Sequence, residues 1–232
     1  MDEEEMVDTT FTWLNFKFKT IRIVENVFTA HTTSLKVEVL MDTTTSERDI
    51  NIVIEKIHFW FDHIVSNSIL FNRDNEFALQ VLFDEDGASK TDNFAMVFPE
   101  EPTDDVLARA MHSKLNAFGG DKVGFGMIEL QSDTRELLTC SYTGYGEYEL
   151  PPIEEWVGDR SYHSKPWWAR DDGDTLDVIP DPDADLTQVP CLGIDMSFIE
   201  QRYRRSGDDT AIIIKPAFKP EVISGGKDEP KN

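Results

Sequence analysis

Basic residues are scarce in this chain. Its 22 Lys and Arg stand against 45 Asp and Glu, a formal net charge of -23 over 232 residues. So acidic a surface repels phosphate backbones and anionic headgroups, which argues against direct nucleic-acid or membrane binding. A basic protein partner is the complementary class, and solubility alone is the plainer one. Cysteine is scarcer still: Cys140 and Cys191 are too few for the disulfide framework of a small secreted domain. No apolar run is long enough to span a bilayer as a helix. The opening MDEEEMVD lacks the apolar stretch of a signal peptide. Together these gaps predict a soluble, cytoplasmic protein, with a virus-encoded origin among the sources that would fit. There is also no phosphate-binding glycine loop, no Gly-x-Ser-x-Gly and no Cys-x-x-Cys pair.

What is present suffices for a packed core: 40% of the residues are hydrophobic and 11% aromatic. Ile50, Ile54, Ile57, Phe61, Ile64 and Val65 recur at steps of three and four, which predicts a helix over 49–72 with cap-type residues just before it. Alternation predicts strands at 16–23 and 35–40 ahead of that helix. Beyond it, a hairpin is expected over 77–98, turning at Asp84-Glu85-Asp86-Gly87. A second helix follows over 103–118, with Thr103 as N-cap and Val106, Leu107, Ala110, Met111 and Leu115 on its apolar face. Two more strands close the series, at 123–130 and 136–142. This order gives an α+β fold, an antiparallel sheet with both helices on one face, and puts Ile54, Ile57, Phe61, Leu107 and Met111 in one core. The regular part covers 1–144. Residues 145–232 read as an acidic, aromatic-rich extension with a short helix at 198–205, a short strand at 211–214 and a flexible tail.

The order of elements resembles the tunnelling fold of the 6-pyruvoyl- and 6-carboxy-tetrahydropterin synthases. Phe28-Thr29-Ala30-His31 is similar to the segment carrying that family's first zinc histidine, and Asp62-His63 to its catalytic Asp-His region. Pro102-Thr103 with Leu107-Ala108 resembles the start of its second helix. Ile128-Glu129 with Ser132 resembles the strand whose glutamate anchors the pterin ring. The resemblance spans about residues 16–143. It breaks where the family has its remaining zinc histidines and its nucleophilic cysteine, since this chain reads Thr32-Thr33-Ser34-Leu35-Lys36 there. A catalytic zinc needs three protein ligands, so His31 alone implies a degenerate site with no metal and no cofactor.

The candidate ligand-binding residues are therefore Glu129, His63, Asp62 and His31. His58 and His63 are five apart, off the i, i+4 spacing of a helical metal pair. Asp181, Asp183 and Asp185 imitate the opening of a calcium loop without its glycine or closing glutamate, and Asp171-Asp172-Gly173-Asp174 reads as a solvated acidic loop. Trp156, Trp167 and Trp168, with Tyr145, Tyr148 and Tyr162, suggest interface anchors. Arg202, Arg204 and Arg205 form a basic cluster suited to an acidic neighbour. The first functional reading is a non-catalytic binding or assembly subunit, as a homo-oligomer or within a protein assembly. A metal-free pterin- or purine-type heterocycle enzyme using His63 and Glu129 is the second. An acidic virus-type structural or accessory protein of a larger assembly is the third.

Overall fold

In the computed structural model, residues 9–84, 89–133, 138–144, 149–158, 161–177 and 194–205 are described. The expectations for Asp181, Asp183, Asp185, Cys191, Tyr145, Tyr148, the turn residues 85–87, the strand at 211–214 and both tails lie outside them. Strands β1 (Thr9–Val24) and β2 (Val27–Asp42) form a long hairpin in unbroken register from Thr9↔Asp42 to Val24↔Val27. Its two-residue turn has positive φ at both Glu25 (49°) and Asn26 (65°), the backbone that matches the twist of the flanking strands.

Helix α1 (Glu47–Trp60) starts at Ser46, whose side chain accepts from Asp49 N at 3.1 Å. It does not run to residue 72 as the periodicity suggests. It widens into a π-turn over Phe61–Val65, and Ile69–Asn72 becomes strand β3, buried at three of its four positions. The buried face is also rotated from the expected one. Val53, Ile57 and Trp60 are buried together with Lys56, whereas Ile54 is only half-buried and stands outside the core cluster.

The predicted strand at 77–83 is instead helix α2 (Glu76–Leu82), so the 77–98 hairpin does not form. Asn75 caps it, accepting from Ala78 N at 2.9 Å, and Ala78 and Leu82, one turn apart, are its buried side. Strand β4 (Ala95–Phe98), helix α3 (Asp104–Gly119), strand β5 (Val123–Ser132) and strand β6 (Cys140–Tyr142) follow. Thr103 caps α3 as expected, and Gly120, at φ +59°, ends it.

The six strands form one sheet in the order β4-β3-β1-β2-β5-β6. The β1-β2-β5-β6 part is antiparallel as expected, while β3 pairs parallel with both β1 and β4, so the sheet is mixed. A bulge on β5 sets Gly126 and Met127 against Glu38. The Glu38 carboxylate accepts the freed Met127 N–H at 3.1 Å, and a Cβ on residue 126 would fall 2.4 Å from that carboxylate and displace it from this bond.

Alternation gives the sheet two distinct faces. Phe16, Phe18, Leu35, Val37, Val39, Ile128 and Leu130 point into the main core with α1 and α3. On the reverse face α2 covers only the β1-β3-β4 end, through Ile23, Ile69, Phe71, Ala78 and Leu82.

The extension joins the main core rather than building its own. Helix α4 (Ile153–Trp156), a 3-10 turn at Trp167–Ala169 and helix α5 (Ser197–Arg205) contribute Ile153, Trp156, Trp167, Trp168 and Ile199 to it. It also satisfies the outer edge of β4. Val97 N donates to Thr175 O at 3.0 Å, Thr175 Oγ1 to Ala95 O at 2.6 Å, and Trp167 Nε1 to Val97 O at 2.8 Å.

Candidate functional site on the open sheet face

Glu129 lies on β5 opposite Lys36 of β2, on the face turned away from α1 and α3. Lys36 Nζ sits 3.2 Å from Glu129 Oε2 and 4.0 Å from the centre of the Trp13 ring. Both side chains of the pair keep about a third of their surface in water, so the bond contributes at most about 1 kcal/mol. Around them the face is polar and hollowed. One cavity of about 420 Å³ is bordered by Asn15, Lys17, Ser34, Lys36, Glu129 and Gln131, among others. A second, of about 400 Å³, shares Lys17, Ser34 and Gln131 with it and reaches Thr32 and Asp133. The alternation readable in the sequence points Glu129 away from Ile128 and Leu130. It does not reveal Lys17, Ser34, Lys36 and Gln131 as neighbours, because that needs the strand register.

His63 and Asp62 are exposed on the π-turn, and the His63 ring lies 4.7 Å from Phe59. Phe61, Ile64 and Val65 of the same turn enter the main core, on the face opposite Glu129. Glu129 and His63 therefore share no pocket within one chain.

His31 sits near the hairpin end of the sheet, its Nδ1 4.0 Å from Asp133 Oδ1. Burial, then the Arg22 guanidinium, hold its pKa below the ordinary imidazole value, although Asp133 and Asp104 pull the other way. The cation at this end of the sheet is Arg22 itself, 4% exposed. Its Nη1 donates to Asp104 Oδ1 at 2.6 Å and to Pro102 O at 3.2 Å, and its Nη2 to Ser132 Oγ at 2.7 Å and Thr33 Oγ1 at 3.3 Å. Ser132 Oγ donates in turn to Asp104 Oδ1 at 2.6 Å. Burial pushes Asp104 up, but the Ser132 and Arg22 hydrogen bonds outweigh it and hold the carboxyl below its usual range. One imidazole beside hydroxyls and a fixed guanidinium does not fit a zinc ion. Among the described residues no three His, Cys, Asp or Glu side chains are placed to hold a metal.

Of the extension's aromatic and basic residues, the three tryptophans are buried within the chain and Arg202 and Arg204 are paired within it. Trp156, Trp167 and Trp168 are 2%, 0% and 2% exposed, so their indoles present no free surface. The helix expected at 198–205 is α5; Arg202 pairs with Glu55 and Arg204 with Glu200 at 3.6 Å, while Arg205 ends the helix. Asp171-Asp172-Gly173-Asp174 is not a solvated loop as expected. Asp172 and Asp174 bind Arg170, and Asp172 also faces Lys114.

No helix of the described residues is long and apolar enough to cross a membrane. No family model matches the chain, and no curated protein matches it. Among solved structures, an uncharacterized protein from Wolinella succinogenes aligns at 11% identity with a TM-score of 0.41, covering 59% of this chain and 99% of that one. Two structures of 6-pyruvoyltetrahydropterin synthase from Plasmodium vivax, one a catalytic-residue mutant, align at 10% identity with TM-scores of 0.34 and 0.33. Each covers 58% of this chain and 97% of its own.

Proposed function

We propose that the chain is a non-catalytic assembly subunit that associates with further copies of itself through the open face and flank of its sheet, without a zinc centre. The observation that carries this reading is the bare first half of β1. Its partner on one side, β2, runs the full length of the strand, but on the other side β3 pairs only with Ile21–Ile23. From Thr10 to Phe18 the outer flank has no strand beside it among the described residues. Unpaired N–H and C=O groups of this kind are the template for strand addition.

The adjoining end of the open face is apolar. Phe11 is 68% exposed, and its register partner Leu40 and the half-buried Trp13 lie on the same face. Lys17 and Lys19 bring positive charge to the middle of that face in an otherwise strongly acidic chain. An acidic surface of a second copy is the complementary neighbour, and fixing its register is what such charges do best.

Sedimentation velocity at micromolar concentration tests the proposal. The wild-type chain is expected to exceed a monomer, and Phe11→Lys to shift it toward the monomer with its circular dichroism unchanged. A wild-type monomer, or an oligomer indifferent to Phe11→Lys, overturns it. Trp168→Ala is no test of assembly, because that indole belongs to the chain's own core.

A further inference from the structure

A cavity of about 670 Å³ opens between α3 and the extension, on the helix side of the sheet and away from the open face. Its volume is that of a site for one small organic molecule. Two half-buried rings line it, Tyr142 from β6 and His112 from α3, and the buried Trp168 of the 3-10 turn closes it from behind. Tyr142 stands edge-on to His112, with centroids 5.1 Å apart. The chain then turns over the imidazole at Gly144, where φ is +76° and a Cβ would fall 2.5 Å from His112 Cε1. Burial lowers the His112 pKa, so the ring is neutral at neutral pH and offers a flat surface rather than a charge.

The inner cation of this cavity is Arg109, 7% exposed. Its Nη2 is held by Asp105 at 2.9 Å and by Glu100 at 3.5 Å, both carboxylates more than half exposed, while its Nε has no hydrogen-bond partner among the described residues. Glu149, Glu154 and Lys165 also border the cavity, but all three are exposed, where water and salt screen them. Asp105 and Glu100 already balance the charge of Arg109, so what this cation offers a ligand is its buried, unmet Nε donor, which an oxygen acceptor would satisfy. Aromatic walls around one buried cation suit a flat ring carrying a carboxylate.

We infer that this cavity is a binding site for an aromatic carboxylic acid, packed against Tyr142 and His112 with a carboxylate oxygen toward Arg109 Nε. The site is independent of the open sheet face and of any assembly through it.

Naphthoate, titrated calorimetrically into the full chain, is the probe, with naphthamide as the neutral analogue of the same shape. Naphthoate is expected to bind saturably, and naphthamide at least about tenfold more weakly. Arg109→Gln is expected to erase that difference. Should Arg109→Gln fail to fold, Ser113→Leu decides: Ser113 is half-buried on α3 and borders the cavity, so the larger side chain occupies it from a tolerant position. Ser113→Leu is expected to abolish naphthoate binding with the melting temperature unchanged. No saturable heat up to about 10 mM naphthoate, equal affinity for acid and amide, or full binding by Ser113→Leu would each overturn the inference.

Discussion

Helix α3 is fastened at two places by buried charge, and the two fastenings differ in kind. At its first residue Asp104 meets Arg22 from the sheet. Three turns later Lys114, fully buried, meets the extension. Asp104 is well supplied: two charge-assisted hydrogen bonds reach its carboxylate, which also sits at the positive end of the helix dipole. Lys114 has the carbonyl of Trp167 at 2.8 Å, Asp172 at a long 3.4 Å, and the rings of Phe118, Trp167 and Trp60 at 5.2 to 6.0 Å. Burial outweighs those partners and lowers its pKa to about 8. A buried charge stabilises a fold only when its hydrogen-bonding capacity is met, and here the same helix shows both outcomes.

The largest expected effect comes from breaking the well-supplied end. Arg22→Met leaves Asp104 buried with only Ser132 beside it and should cost about 3–5 kcal/mol by urea denaturation. The acid dependence should change with it. Asp104 has a folded pKa below its unfolded value, so the stability it contributes is present above about pH 4 and is lost as pH falls through the folded pKa. In Arg22→Met that acid-side loss should shrink. A cost under about 1 kcal/mol would mean that the network contributes nothing net.

Lys114→Met is the sharper comparison. Asp172 keeps Arg170 at 2.7 Å, so the substitution should cost no more than about 1 kcal/mol at neutral pH. The folded chain releases the Lys114 proton near pH 8, and the unfolded chain holds it to about 10.5. Wild-type stability should therefore gain from this site as pH rises across that window, on the order of 3 kcal/mol. Lys114→Met should lack the gain, which paired melts across the window would show. Identical pH profiles would place the ammonium in water.

The smallest effect is expected on the open face. Glu129→Gln removes a half-exposed pair with Lys36 and should change stability by less than about 1 kcal/mol. A larger loss would show that the pair is more enclosed than one chain makes it.

Much of the main sheet and both long helices could be read from side-chain periodicity, because alternation at 35–40 and 123–130 and the Thr103 cap are local signals. Phe77 to Phe83 defeated that reading. Its residue types favour a strand, yet Asn75 and the one-turn spacing of Ala78 and Leu82 carry the helix, and tertiary packing overrides the propensity. Residues 69–72 read as a continuation of the preceding helix because a short apolar run has no periodicity of its own. Of the candidate site, only the direction of Glu129 was local information. The partners of Arg22 lie up to 110 positions away, and those of Lys114 53 and 58 positions away, separations that no window on the sequence joins. The tryptophans stand out by composition, but composition does not distinguish an anchor turned outward from one turned inward.

The hydrogen bonds from Thr175 and Trp167 to β4 have a consequence for solubility. A sheet with two bare margins can stack chain upon chain without limit, and that is how soluble sheets become fibres. Here one margin is already occupied by the molecule's own later residues, with a tryptophan side chain standing in where a strand would dock. Growth from β4 itself is blocked before any neighbour arrives, while the bare half of β1, on the same side of the sheet, stays open. Whatever adds along the bare half of β1 therefore cannot be passed on through β4.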